Sequence, residues 1–290
     1  MSLRCPKHVT IIGVGLLGGS AGLAAKAAFG CKVAGVGRRA ASLQEALDRH
    51  AIDTAHLEAA EVVGQSDLVI LATPVGAFAK HLRMIGPHLK SGAIVTDVGS
   101  TKGDVVRVGE RVLGKGGPFV GSHPMAGNER KGAAHARADL FAGETCIITP
   151  TANTPAGHAK AIEEFWRALG MATLTMTPAT HDRLISRVSH LPHALSCLLM
   201  LLPPQKALAA AGPGFKDMTR LSGGDWEMWR DIFLTNRRQM LAAIDDFDES
   251  LMHLRDLVEL RDGDGLEKFL LAAKTRRDKW IADCGLRIAD

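Results

Sequence analysis

Apolar residues come in short unbroken runs along the first half of the chain and at helical spacing along the second. Runs of strand length begin at HVTII near His8 and recur as CKVAGVG (Cys31–Gly37), LVILAT (Leu68–Thr73), AIVTDV (Ala93–Val98), PFVG (Pro118–Gly121) and ETCIITP (Glu144–Pro150). Runs without polar alternation mark strands covered on both faces, as in a parallel sheet. Between them, Ala- and Leu-rich stretches near Leu16, up to His50, at Val75–His88, at Lys102–Leu113 and at Ala156–Gly170 read as helices. This alternation predicts helices around a parallel sheet, with MATLTMT (Met171–Thr177) as its edge strand.

The pattern changes at Thr177–Pro178, a helix N-cap followed by proline at the first helical position. From there to Asp290 helix follows helix, so the expected domains are residues 1–177 and 178–290. His181–Leu202 reads as one long segment with Pro192 inside it, and Asp225–Gly263 carries apolar residues at helical spacing for many turns. Stripes that long exceed what a small helical half can cover alone, which predicts a homodimer through this half. ALSCLLMLL (Ala194–Leu202) is half a membrane span and stops at Pro203–Pro204, so it is expected to be a buried helix rather than a membrane anchor.

Gly13-x-Gly15-x-x-Gly18 follows the first strand and opens the first helix. In that context it is a dinucleotide fingerprint: a tight turn, close backbone approach to a pyrophosphate, and close helix–strand packing. The first domain is therefore expected to be Rossmann-type, with Leu17 in the phosphate loop and Thr73 and Pro74 after a neighbouring strand also at the cofactor. Sites for the ribose hydroxyls of NAD usually have Asp or Glu after the second strand. Here Gly37 is followed by Arg38 and Arg39, which can grip a 2′-phosphate, so NADP is the expected cofactor, with NAD usable.

Composition narrows the classes. The 290 residues are 46% apolar and 23% charged, with net charge +4, which suits a small anionic ligand better than a nucleic-acid duplex. Five scattered cysteines (Cys5, Cys31, Cys146, Cys197, Cys284) without a CxxC pair argue against a metal site or disulfide framework. With a glycine turn by Gly13 in place of a signal-peptide pattern, the expected compartment is the cytoplasm.

The chemistry is expected at the carboxyl ends of later strands, where open α/β sheets bind their ligands. GSHPMAG (Gly121–Gly127) sets His123 there, with Pro124 biasing it away from helical dihedrals. Ser100, in DVGSTK, follows the preceding strand and suits either a substrate hydroxyl or the cap of the next helix. Asp97 reads as structural. In the helical half, THDRLISRVSHLPHALS holds His181, His190 and His193 around Pro192, and GPGFKDMTRLSGGDWEMWRDI combines Lys216, Asp217, Arg220 and Trp229. Arg220 is the natural carboxylate holder, since its planar fork matches two oxygens. At this point a β-hydroxyacid dehydrogenase, an imine reductase and a non-enzymatic NADP sensor share the outline.

With these motifs assembled, the chain resembles the prephenate/arogenate dehydrogenase family of tyrosine biosynthesis. GVGLLGGS, ATPVGAF, DVGSTK, GSHPMAG, HDRLISRVSHLPH and FKDMTRL…WEMWRDIFLTN occur in the family's order over nearly the whole length. The resemblance implies a catalytic His123, a substrate-orienting Ser100, a helical-domain His193 and a carboxylate-binding Arg220. His190, Lys216, Asp217 and Trp229 fall near the substrate, with Trp229 as a candidate contribution from a partner subunit. Lys216 stands where the family often has arginine, and Pro213 stiffens the same loop. The regulatory domain that some relatives append after the helical half is not expected here. The implied reaction takes an anionic cyclohexadienol, moves hydride from C4 to NAD(P) and the hydroxyl proton to a base, and loses carbon dioxide to aromatise the ring. Prephenate and arogenate differ only at the side-chain end, where no residue of this sequence decides between them.

Overall fold

The strands take their places because their side chains alternate between two cores. The computed structural model describes residues 6–127, 130 and 132–283. In β1 (His8–Ile12), α1 (Leu16–Phe29), β2 (Lys32–Val36), α2 (Ala40–Asp48), β3 (Thr54–His56) and β4 (Leu68–Leu71) the expected alternation appears, with β3 a short strand that the apolar pattern did not announce. It continues through α3 (Phe78–Ile85), β5 (Ile94–Asp97), α4 (Gly103–Leu113), β6 (Phe119–Pro124), β7 (Thr145–Thr149), α5 (Ala156–Ala168) and β8 (Ala172–Thr175). The eight strands form one sheet in the order β3-β2-β1-β4-β5-β6-β7-β8, parallel except for the β6–β7 pair.

Successive strand residues point to opposite faces. Leu68, Ile70 and Ile94 therefore join a core with Phe141, Phe165 and Trp166 on one face, while Val69, Leu71 and Val95 join Phe78, Leu82 and Val106 on the other. Double coverage is why these strands read as unbroken apolar runs. The order reverses between β1 and β4, which opens a crevice at the carboxyl ends of the strands.

The chain divides into two compact units, residues 1–240 and 241–290. In the first, helices α6 (Pro178–Ile185), α7 (Leu191–Leu201), α8 (Pro213–Thr219) and α9 (Trp226–Thr235) follow the sheet. Thr177 caps α6 as expected, its hydroxyl accepting from the Thr180 N–H at 3.2 Å. In the second, the helices are most of α10 (Arg237–Glu259) and α11 (Gly263–Asp283), where the His253 and Phe269 rings meet at 6.4 Å.

Two expectations change here, while the single helical segment over His181–Leu202 appears as one helix, Pro178–Leu201, with a π-helical turn at Ser186–His190 in which the Leu191 N–H bonds the Ser186 carbonyl, just before Pro192. Widened turns of this kind occur where the regular ladder is interrupted. The stripe over Asp225–Gly263 is interrupted at Asn236, where the backbone leaves helical dihedrals (φ −106°, ψ 29°) and the buried side-chain amide donates to the Asp182 carbonyl at 2.9 Å. The run Ala194–Leu202 is not buried within the chain: His193 and Ser196 face inward, while Leu201 and Leu202 are 81% and 76% exposed. By length and composition alone Pro178–Leu201 would also span a membrane, but its inward face carries Asp182, His181, His190 and His193. Cys31 and Cys146 are buried free thiols and Cys197 is half-buried and free; Cys5 and Cys284 lie outside the described residues.

Candidate active site

The glycine turn has the geometry that a dinucleotide needs. Gly13 has φ +102° and its N–H bonds the Val36 carbonyl at 2.8 Å; a Cβ there would sit 2.6 Å from the Ala72 oxygen. A Cβ at Gly18 would fall 2.0 Å from the Gly13 oxygen, so only glycine lets α1 pack this closely. A Cβ on Gly15 would meet nothing within 4 Å, which leaves the helix N-terminus open to a phosphate. The Thr73 hydroxyl, next to Gly13, is buried without a hydrogen-bond partner. Leu17 lies 3.8 Å from where a Gly127 side chain would start, so the loop after β6 meets the glycine turn. These features fit a bound dinucleotide. Arg38 and Arg39 are exposed at the end of β2, with Pro74 across the crevice after β4.

At the other end of the crevice, His123 sits on β6 and is 6% exposed. Its Nδ1 lies 2.9 Å from His181 Nε2, and His181 Nδ1 lies 2.8 Å from Asp182 Oδ1. Asp182 also accepts the N–H groups of Lys102 (2.7 Å) and Gly103 (2.8 Å) at the start of α4. This chain dictates the tautomers. A carboxylate only accepts, so His181 keeps its proton on Nδ1 and accepts at Nε2. His123 must then donate from Nδ1, which leaves a lone pair on its Nε2, the nitrogen without a hydrogen bond among the described residues.

Electrostatics agree with a neutral base. Burial pushes the His123 imidazole well below its usual range, and His181, Lys102 and His190 add to the effect. Burial alone would raise the Asp182 carboxyl, but the bonds from His181 and from the Lys102 N–H outweigh it and hold the group below its ordinary value. Beneath the histidines, Lys102 is wholly buried and ion-paired with Asp97. Asp97 also accepts from the Gly99 N–H at 2.8 Å and the Ser122 N–H at 3.1 Å, while burial raises its carboxyl. Ser122 donates to the Asp97 carbonyl and accepts from Trp166 Nε1 at 3.0 Å, which pins the strand position next to His123.

The other candidates fall into groups. Ser100 follows β5, half-buried, with its backbone facing His190. His190 is buried, 3.3 Å from the Asn236 amide, and burial brings it down to about 4 against the pull of Asp182. His193 stacks on Trp229 at 3.6 Å with planes 10° apart, and burial likewise lowers it to about 4. Trp229 thus lies against His193 of its own chain. Arg220 and Lys216 are exposed and form no side-chain hydrogen bond or ion pair among the described residues. Arg220 starts a turn that packs on α7, where the Ser222 N–H donates to Ser196 Oγ at 3.0 Å.

The sequence reading named His181 without a role and missed Asp182 and Lys102. The signal present was the His181-Asp182 pair at the head of α6, but it pointed to no partner until β6 and α4 were folded against it.

Comparison with known proteins places the chain. Residues 21–174 match the family model for the prephenate dehydrogenase nucleotide-binding domain, and residues 177–272 match that for the prephenate dehydrogenase dimerization domain. The chain is 32% identical over 283 residues to prephenate dehydrogenase of Bacillus subtilis (strain 168), covering 93% of this chain and 75% of that protein. It is 31% identical over 287 residues to cyclohexadienyl dehydrogenase of Zymomonas mobilis, covering 94% and 98%. The crystal structure of prephenate dehydrogenase from A. aeolicus with hydroxyphenyl propionate and NAD+ superposes with a TM-score of 0.88 at 35% identity, covering 94% of this chain and 98% of that one.

Proposed function

The chain belongs to the prephenate dehydrogenase family, and from that premise we propose that it oxidatively decarboxylates prephenate, arogenate or both, with NADP as its preferred cofactor. The observation that carries the reading is the buried Asp182–His181–His123 chain, which leaves one lone pair on His123 Nε2 at the carboxyl end of β6. A reductase that adds hydride to a carbonyl or imine needs a proton donor at this point. A neutral, desolvated imidazole with its lone pair free is instead arranged to take a proton.

The dinucleotide would be held by the Gly13–Gly18 turn with Leu17, by Thr73 and Pro74, and by Arg38 and Arg39 at the adenosine end. When bound, its nicotinamide supplies the hydride acceptor for C4 of the cyclohexadienol, and loss of the ring carboxylate as carbon dioxide makes the product aromatic. His123 accepts the 4-hydroxyl proton at Nε2, and Ser100 orients that hydroxyl. His181 receives the hydrogen bond from His123 Nδ1 and Asp182 fixes the tautomer of His181, so the positive charge on His123 develops beside a carboxylate-anchored partner. Burial keeps water from competing for the same proton. His190, His193 and Trp229 form the wall on the helical side. Arg220, with Lys216 nearby in sequence, supplies the cation for the substrate carboxylate.

The division of labour that supports this reading falls at residues 177 and 178, with the cofactor residues, Ser100 and His123 before it and the other substrate residues after. The exposed Leu201 and Leu202, together with Leu260 (78%) and Trp280 (58%) in the second unit, support a second copy of the chain as partner through helical surfaces. A cytoplasmic location accords with this biosynthetic role.

Initial rates with prephenate and arogenate, each with NAD and NADP, test the activity and the cofactor together. We expect turnover with at least one substrate and a kcat/KM for NADP well above that for NAD. Equal values for the two cofactors would remove the role of Arg38 and Arg39; no turnover with either acid would remove the function.

Arg220→Gln should raise KM for the substrate by roughly 10- to 100-fold, the worth of a hydrogen-bonded charge pair, with KM for NADP nearly unchanged. A parallel rise in both constants would mean that the residue supports the fold instead. The same preparations should run as dimers in light scattering, and an active monomer would contradict the assembly.

A further inference from the structure

The end of β2 that carries Arg38 and Arg39 faces a second cationic element on α3. Phe78, Leu82 and Ile85 of this helix point into the core that also holds Val36 of β2 and Ala59. Leu82, Arg83 and Gly86 line, with Val112 and Leu113 of α4, a cavity of about 630 Å³ on one flank of α3. Successive helical residues turn by about 100°, so His81 stands on the opposite flank, on the side of the turn Ala59–Glu61. His81 Nδ1 is buried and has no hydrogen-bond partner. The charges that act on the ring are those of Lys80 and Arg38, which together with burial hold it below the usual histidine range. Glu61, an acid on the adjacent turn, is turned to His56 at 3.3 Å. Two cations and an imidazole therefore act on one another here, and among the described residues none of the three is ion-paired with a carboxylate.

We propose that Lys80 and His81 join Arg38 as the wall that receives the 2′-phosphate of the adenosine ribose. The inference rests on the NADP reading and extends it to a helix that the usual fingerprint after β2 does not include. A phosphate presents three acceptor oxygens, enough for the Arg38 fork, the Lys80 ammonium and one imidazole N–H. A 2′-hydroxyl carries no charge and cannot engage all three, so the wall selects the phosphorylated cofactor by charge as well as by hydrogen bonds.

Calorimetric titration with adenosine 2′,5′-bisphosphate and with 5′-AMP, without substrate, tests this on the full chain. Wild type should prefer the bisphosphate, and Lys80→Gln/His81→Gln should lose about tenfold or more of that preference, one charge-assisted contact's worth. Binding of 5′-AMP should stay within about twofold, which also reports an intact glycine turn. If wild type prefers the bisphosphate and the double variant keeps the whole preference, the proposal is overturned while the NADP reading stands on Arg38 and Arg39. Equal weakening of both ligands overturns it as well. If wild type has no preference, the NADP reading fails and this inference falls with it.

Discussion

His123→Asn is expected to lower kcat by roughly 10²–10⁴-fold, the range for loss of a positioned general base, while the affinity for NADP is retained. The base works only when neutral, so in wild type kcat/KM should rise with pH through the His123 titration and level off once the imidazole has lost its proton. Burial, His181, Lys102 and His190 all disfavour the charged ring, which places that rise below pH 6.5, the model-compound value for histidine. Asp182→Asn separates positioning from packing. An amide no longer forces the His181 proton onto Nδ1, so kcat should fall with little change in KM, and the acid limb should move. A His123→Asn variant with near-normal turnover and an unchanged pH profile would show that the proton leaves by another route. An Asp182→Asn variant that loses stability but keeps kcat and its pH profile would reduce the histidine chain to a structural contact.

Lys102→Met should cost about 3–5 kcal/mol of folding stability at neutral pH, because it leaves Asp97 charged, buried and without its counter-ion. Both side chains have no exposure to solvent, so water cannot replace the lost partner. Lys102→Met combined with Asp97→Asn should recover most of the loss, since removing both charges removes the desolvation penalty as well. Denaturant unfolding of the two single variants and the double variant measures this directly. A single-variant loss within about 1 kcal/mol of zero would mean that Asp97 is protonated in the native state, the direction in which burial already pushes it.

Trp229 and Lys102 show where reading along the chain stops. The place of Trp229 in the sequence carries no direction; in the fold it lies flat on His193, 36 residues earlier in the chain. Lys102 looked like the first residue of a helix, and nothing nearby in sequence says that its side chain turns back under β5 to meet Asp97. Leu201 and Leu202 were expected to be buried on hydropathy alone, yet the fold covers only the His193–Ser196 side of their helix and leaves them for another surface.

What the amino-acid order determined by itself was local: strands from unbroken apolar runs, helices from their spacing, the glycine turn from backbone demands that only glycine meets, and the cap at Thr177. It also put His123 and Ser100 at strand ends, because chain direction and a parallel sheet suffice to bring those ends to one edge. The tertiary structure decided the rest. It brought β6, α4 and α6 together so that His123 shares one line of hydrogen bonds with His181 and Asp182, which follow it by 58 and 59 positions in the chain. The protonation state of the base belongs to that second class. It depends on what surrounds the ring in a medium of low dielectric, and those neighbours come from three separate segments whose order in the chain says nothing of their distance.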